Sequence, residues 1–421
     1  MGNDEKEIWE LSKKHRKLQT LMHYVNADSL MKEHLLQSGR KASGVDRVTK
    51  EKYGQQWEKN IEDLLSRMKS FSYRPKPVRR TYIPKTNGKL RPLGIPSYED
   101  KLVQGVMARI LNDVYEPRFL DCSYGFRPGR SCHEVIHDIN QTIMSEPIGW
   151  VVEADIKGYF DHIDHKWLMQ FLQVDIADKN FLRYIVRFLK AGIFEDGQLM
   201  KSEEGSPQGG LISPILANVY LHYVLDLWFT KKVLPLMRGK VFLYRYADDF
   251  LVLFQYEEDA KRFYTVLPKR LEKFNLKVAE EKTRIIPFGR KSGAKETFDF
   301  LGFTHINGKT RKGNYRVVHR TSQKKLKAKR QEIKLWMMKN MHRPIRELIT
   351  GLNRRLIGHY RYYGISGNSQ SLTGFLYYCH RRLFRVLRRR SQKRPMTWER
   401  FKRLLSVYPM AAPRIYVNIW Y

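Results

Sequence analysis

Between Val241 and Phe254 the chain reads Val-Phe-Leu-Tyr-Arg-Tyr, then Ala-Asp-Asp, then Phe-Leu-Val-Leu-Phe. Two runs of β-branched, aromatic and aliphatic residues separated by a short polar break predict a hairpin, with Asp248 and Asp249 at its turn. Consecutive strand residues point to opposite faces, so both acids reach one place only if the turn bends the backbone there. A second strand, Trp150-Val-Val-Glu-Ala-Asp-Ile156, ends on a third carboxylate, Asp155. An acidic pair at a turn is by itself an ordinary solvated feature; the third acid at another strand's end gives it chemical meaning.

The surrounding pattern mixes both periodicities. Apolar residues three and four apart predict helices over Glu99–Asp113, His133–Met144, Phe181–Leu189 and Pro214–Phe229. Val78–Pro84 and Leu90–Ile95 predict a hairpin around the Asn87-Gly88 turn signal. Glu5–Lys41 reads as helical until Gly39 and Gly44. Beyond Arg320 the pattern is helical to about Arg390, interrupted by Gly351, Gly364 and Gly367, with no strand before Arg414–Val417. The fold class expected is α+β.

The formal net charge is +35 over 421 residues. Residues 305–421 hold 29 lysines and arginines against three acids, Glu332, Glu347 and Glu399, so most of the excess lies in the helical end. Aromatics interleave with these cations, as in His359-Tyr-Arg-Tyr-Tyr363, a composition suited to tracking a phosphate backbone while stacking on bases. A polyanionic partner is implied, with nucleic acid the leading candidate. Three cysteines without CxxC spacing imply neither a disulfide framework nor a zinc ribbon. The first thirty residues are polar and no apolar run is long enough to span a bilayer, so a cytoplasmic protein with no membrane partner is expected.

His133-Glu-Val-Ile-His137 matches the spacing of a zinc-protease helix. Nothing around it resembles a protease, and the two histidines are expected to flank an exposed or half-buried helix face.

Tyr246-Ala-Asp-Asp249 resembles the Tyr-x-Asp-Asp box of reverse transcriptases, and the rest of that family's series follows in order. Asp155-Ile-Lys-Gly-Tyr-Phe-Asp161 resembles its first palm motif, and Ser206-Pro-Gln-Gly-Gly-Leu-Ile-Ser-Pro214 its second. Ile83-Pro-Lys85 with Arg91–Pro96, Ser123-Tyr-Gly-Phe-Arg-Pro-Gly-Arg130, Leu276-Lys-Val278 with Lys282, and Phe300-Leu-Gly-Phe303 complete it. The Pro-Gln-Gly-Gly form, the Gly-Phe-Arg-Pro-Gly-Arg block and Asn353–Tyr363 resemble the bacterial group II intron branch, over about residues 40–365.

The resemblance implies a right-hand polymerase: a helical extension over 1–40, fingers and palm over 41–305, a helical thumb of maturase type over 306–390 and a basic tail over 391–421. The implied reaction is RNA-templated extension of a primer with deoxynucleotides. Two Mg2+ ions, replaceable by Mn2+, are implied at Asp155, Ile156, Asp248 and Asp249. Lys85 and Arg91 are expected to clamp the triphosphate, Gln208 to bond near the nucleotide, and Phe160 to crowd a ribose 2′-OH. Lys282 is expected either to protonate the leaving pyrophosphate or to contact phosphate. Arg127 and Arg130 are expected to hold template or to stabilise fingers packing. Gly302, Arg354, Arg355, Arg388, Arg389 and Arg390 are expected along an RNA/DNA duplex or a structured RNA. After the thumb-like segment Asn353–Tyr363 only some 55 residues remain, without nuclease-like patterns, so a target-cutting nuclease is not expected. The same motifs leave open a maturase that only folds RNA, and an antiphage-defence enzyme with its own noncoding RNA. Oligomeric state is not legible.

Overall fold

A computed structural model describes residues 3–84, 90–195, 197–200, 204–205, 209–290, 292–293, 295–390 and 396–420. Among these residues eleven strands occur: β1 (Val78–Pro84), β2 (Leu90–Ile95), β3 (Trp150–Asp155), β4 (Ile193–Glu195), β5 (Gln198–Met200), β6 (Val241–Tyr246), β7 (Asp249–Phe254), β8 (Arg284–Pro287), β9 (Thr297–Phe300), β10 (Phe303–Lys309) and β11 (Tyr315–Thr321). They form three sheets, ordered β2-β1-β4-β5, β6-β7-β3-β8 and β11-β10-β9. Strands and helices are mixed as the sequence predicts.

Contacts group the chain into two units. One comprises 1–131, 152–252 and 258–284, the other 132–151, 253–257 and 285–421. Neither unit coincides with the expected fingers, palm and thumb limits, which we propose separately.

In the first unit the helix Tyr98–Tyr115 is buried along nearly its whole length, because its apolar residues cover more than one face. Ser97 caps it, its Oγ accepting from the Asp100 amide at 3.3 Å. Buried Asp100 in turn accepts from Ser97 Oγ, at 2.6 Å, and from Tyr73. The hairpin β1–β2 pairs Arg79 with Ile95 through to Pro84 with Leu90, and its predicted turn lies outside the described residues. The N-terminal segment is not one helix. It breaks into Asn3–Lys14, a short turn at Leu21–Tyr24 and Ala27–Leu36, the last started by a reciprocal capping box between Asn26 and Ser29 that pattern alone did not expose.

The second unit's helical part follows from spacing. Leu348, Leu352, Leu356 and Tyr360 recur every four residues on Ile345–Tyr363; Leu372, Phe375, Cys379 and Leu383 recur three and four apart on Ser369–Arg388. These stripes form one buried core with Ile333 and Met337 of Gln323–Lys339 and with Phe401 of Trp398–Val407. Gly351, expected to interrupt the pattern, lies inside a continuous helix instead, and its reason is packing: a Cβ there would sit 2.7 Å from the Trp336 ring. Strands β8 to β11 lie between Arg284 and Thr321, next to the helical stretch expected beyond Arg320. At Arg414–Val417 the expected strand is reduced to a single bridge, Ile365 with Val417. No helix among the described residues is long and apolar enough to cross a membrane.

Candidate active site

β6 ends at Tyr246 and β7 begins at Asp249, so the connecting turn is Ala247-Asp248. Ala247 has φ +57°, while Asp248 does not share the left-handed region. A positive φ at the first turn residue is a conformation in which glycine is usual, and alanine there carries about 1–2 kcal/mol of steric strain. This is the backbone bend that the Asp-Asp pair requires. Asp248 becomes half-buried and Asp249 exposed.

β3 neighbours β7 in its sheet and ends at Asp155, whose side chain is 15% exposed. The segment after β3 is held by 277–279: Ala279 N donates to Asp155 O at 2.8 Å and Lys157 N to Lys277 O at 2.9 Å. Ile156 bridges Val278 between these bonds, its side chain buried, so only its carbonyl is suited to a cation. The same segment carries Lys282, whose ammonium is ion-paired with the Asp155 carboxylate.

Asp155, Ile156, Phe160 and Asp248 line one cavity of about 400 Å³ together with Arg91, Lys282, Phe126 and Gly209. Gly209, at φ +115°, lies so close to β2 that a Cβ would meet Gly94 O at 2.7 Å; this close approach brings the second palm motif against the strand carrying Arg91. The Asp248 carboxyl is pushed up by burial and by the neighbouring Asp155 charge, against the pull of Arg91 and Lys282. Two mutually repelling carboxylates beside a hard carbonyl oxygen make a donor set that a divalent cation satisfies. The Lys282 ammonium is pushed up first by its hydrogen bond to Asp155, and Asp249, exposed at the start of β7, adds its charge to that of Asp155. Lys85 and Gln208 lie outside the described residues.

The other expected contacts divide. Arg127 is buried, bonding Glu116 through Nε and Nη2 and the carbonyls of Leu120 and Ser123 through Nη1, which is the packing role. Arg130 pairs with Asp121 at 2.8 Å and lies over the Tyr124 ring. In the second unit Gly302 occupies a left-handed turn between β9 and β10, at φ +82° after Leu301 at +48°. Arg354 and Arg355 line a cleft of about 590 Å³ with Arg343, Arg346 and Trp336, and Arg355 stacks over that indole, 4.1 Å from its centroid. Arg388 and Arg389 are exposed, whereas Arg390 donates to Arg343 O at 2.8 Å. His133 meets Tyr362 O at 2.6 Å and His137 meets Asp138 at 3.0 Å, both half-buried on their helix, as expected of the zinc-like motif.

The site residues that sequence reasoning missed lie beneath the turn: Arg245, Asp226, Asn218 and Ser123. The available signal was an arginine inside an otherwise apolar strand.

Residues 83–305 match the family described as "Reverse transcriptase (RNA-dependent DNA polymerase)", and residues 326–405 match "Group II intron, maturase-specific domain". The chain is 47% identical over 166 residues to "Group II intron-encoded protein LtrA" of Lactococcus lactis subsp. cremoris, covering 39% of this chain and 27% of that protein. It is 34% identical to "Protein YkfC" of Escherichia coli (strain K12), across 69% of this chain and 83% of that one. It is 36% identical over 108 residues to "Nuclear intron maturase 1, mitochondrial" of Arabidopsis thaliana, covering 25% of this chain and 14% of that protein. Because the reverse transcriptase match spans more than half of the chain and the maturase-specific match follows it in order, the protein belongs to the reverse transcriptase family, in its group II intron type.

Proposed function

We propose that the protein is an RNA-directed DNA polymerase that extends a primer with deoxynucleotides while bound to a structured RNA. The observation that carries this is the convergence of Asp155, at the end of β3, and Asp248, in the turn leading into the neighbouring β7, on a cavity that also holds Arg91 and Phe160.

In the proposed reaction the primer 3′-oxygen forms a bond to the α-phosphorus of a dNTP as the bond to pyrophosphate breaks. Asp155, Asp248 and the Ile156 carbonyl would hold divalent cations, Mg2+ or Mn2+, with Asp249 at the outer edge. Bound there, the cations supply charge neutralisation at the attacking and leaving oxygens. Arg91 offers a bidentate fork to the triphosphate, a role shared with Lys85 in this proposal. Phe160, half-buried at the wall, leaves no room for a 2′-OH, and Gln208 bonds near the incoming nucleotide. Lys282 would act on the leaving phosphates, as proton donor or as phosphate contact, once its tie to Asp155 loosens.

The maturase-specific region supports RNA binding through its arginine-lined cleft. Replacing Arg346 and Arg354 by Ala should weaken RNA binding and lower the slope of log affinity against log salt by about one per lost phosphate contact. An unaltered slope would show that these side chains face only solvent. For the catalytic reading, Asp155→Asn and Asp248→Asn should each lower dNTP incorporation on an annealed RNA template by about a thousandfold, near 4 kcal/mol of barrier. Incorporation at the parental rate in either variant would sink the assignment.

A further inference from the structure

Arg245 is the largest fully buried side chain among the described residues, sitting one residue before the Tyr246 that opens the acidic turn. All five of its N–H donors are placed. Nε and Nη2 grip the two oxygens of Asp226 at 2.7 and 2.6 Å; Nη2 also donates to Ser123 Oγ at 2.6 Å. Nη1 donates to Asn218 Oδ1 at 3.0 Å and to the carbonyl of Ala247 at 3.1 Å. That last acceptor belongs to the peptide joining Ala247 to Asp248, so the guanidinium reaches forward along its own strand to the strained turn.

The other side of the turn is fixed as well. Arg245 N donates to Cys122 O at 2.7 Å and Tyr124 N to Arg245 O at 2.8 Å, which seats 122–124 beside β6. Gly125 then passes so near that a Cβ would lie 2.3 Å from Ala247 N. Asn218 closes the loop, its Nδ2 donating to Gly125 O at 2.7 Å. Asp226 ends the stretch His222–Asp226, a wide helical turn of the kind found at functional sites.

We propose that Arg245 is a positioning residue for nucleotide transfer: charge-compensated by Asp226, it locks the Ala247–Asp248 peptide in its left-handed turn and so aims the Asp248 carboxylate at Asp155. The physical case is that alanine disfavours this conformation, and a charged donor in a dry site holds a carbonyl more firmly than water would. Asp226 is needed to keep the guanidinium buried. The proposal rests on the polymerase reading of the Asp155/Asp248 cavity.

The test compares three variants of the full chain by kcat per titrated active site, KM for dNTP, thermal melting and Mn2+ affinity by electron paramagnetic resonance. Arg245→Lys keeps the charge but not the five-donor fork. The double variant Arg245→Met/Asp226→Leu removes both charges together, the exchange most compatible with a buried pair. Ser123→Ala deletes one acceptor and leaves the ion pair. Expected are a kcat loss of about 10- to 100-fold in the first two, the scale of a displacement near 1 Å, with KM changed by less than about threefold. Mn2+ binding should weaken in parallel, while cooperative melting persists. A cooperatively melting double variant with kcat and Mn2+ affinity at parental values overturns the proposal. Should the double variant not fold, Ser123→Ala decides: a kcat loss of about threefold or more at unchanged melting supports it, and no loss overturns it. Parental protein that binds Mn2+ but incorporates no nucleotide would refute the polymerase reading instead, and the Mn2+ comparison would still judge Arg245.

Discussion

The imidazoles of His305 on β10 and His319 on β11 meet edge to face across the strand pair, 4.7 Å between centroids at 83°. His305 also stacks on Phe298 and has no hydrogen-bond partner on either nitrogen among the described residues, whereas His319 Nε2 lies 3.2 Å from Asn140 Oδ1. Burial pushes His319 down to about 3, with Arg316 adding to the effect, and pushes His305 well below its ordinary 6.5, with His319 adding. Both are therefore neutral in the folded protein. A base whose folded value is lowered leaves stability intact above 6.5 and removes it as pH falls below 6.5, until the folded value is reached. Each such histidine should steepen the loss by about 1.4 kcal/mol per pH unit. Denaturant melts between pH 7.5 and 5 should show this slope, and His305→Phe should flatten it. An unchanged slope would assign the acid sensitivity to His222 and His359, both also pushed down to about 4 by burial.

Lys282 is ion-paired with the Asp155 carboxylate, so a divalent cation held at Asp155 as proposed would have to compete with the ammonium. Lys282→Ala should tighten Mn2+ binding by a few-fold, the worth of one partly exposed ion pair, about 1 kcal/mol or less. Turnover should fall by about a hundredfold or more if the ammonium protonates the leaving group. A rise in KM for dNTP at constant kcat would instead make Lys282 a phosphate contact. Weaker Mn2+ binding in the variant would contradict the competition.

How far the sequence carried depends on whether a feature is local. The strands ending at Asp155 and flanking Asp248 are legible because their signal is a run of β-branched and aromatic residues broken by acids. The stripes Leu348 to Tyr360 and Leu372 to Leu383 are legible because helix periodicity is local too. What pattern hides is what a residue touches. Gly351 reads as a helix breaker until Trp336 is found against it, and Arg127 reads equally as a template contact or a packing residue until Glu116 and two carbonyls are found around its guanidinium. Arg245 is the sharpest case: its partners Ser123, Asn218 and Asp226 lie 122, 27 and 19 residues away, beyond any periodic signal.

Phe160 stands at the cavity wall, braced edge-on by Tyr159 at 5.4 Å and Phe126 at 6.4 Å between centroids. Tyr159 is itself anchored, its hydroxyl donating to Ala217 O at 2.5 Å. A braced ring cannot swing aside for a 2′-OH, so Phe160→Ala should let ribonucleotides in, narrowing dNTP-over-rNTP selectivity by about tenfold or more, near 1.4 kcal/mol. Single-nucleotide incorporation with matched dNTP and rNTP measures this. Selectivity that stays at the parental ratio would remove Phe160 from the gating role.

Gly351 and Trp336 make the maturase-region cleft sensitive to a single methyl group. In an exposed helix interior Gly→Ala gains about 1 kcal/mol from helix propensity. Here the new Cβ would lie 2.7 Å from the indole, inside contact distance, and overpacking of this kind costs about 1–3 kcal/mol. The steric penalty should match or exceed the propensity gain, and relief requires the ring to move out from under Arg355. Gly351→Ala should therefore lower the melting temperature or leave it level, while altering tryptophan emission and weakening RNA binding through the displaced Trp336–Arg355 stack. Because the substitution removes no charge, a loss of RNA affinity with an unchanged salt slope would locate the effect in the shape of the cleft. A higher melting temperature with unaltered emission and RNA affinity would show instead that the helix accepts the methyl group and that the cleft does not depend on this contact.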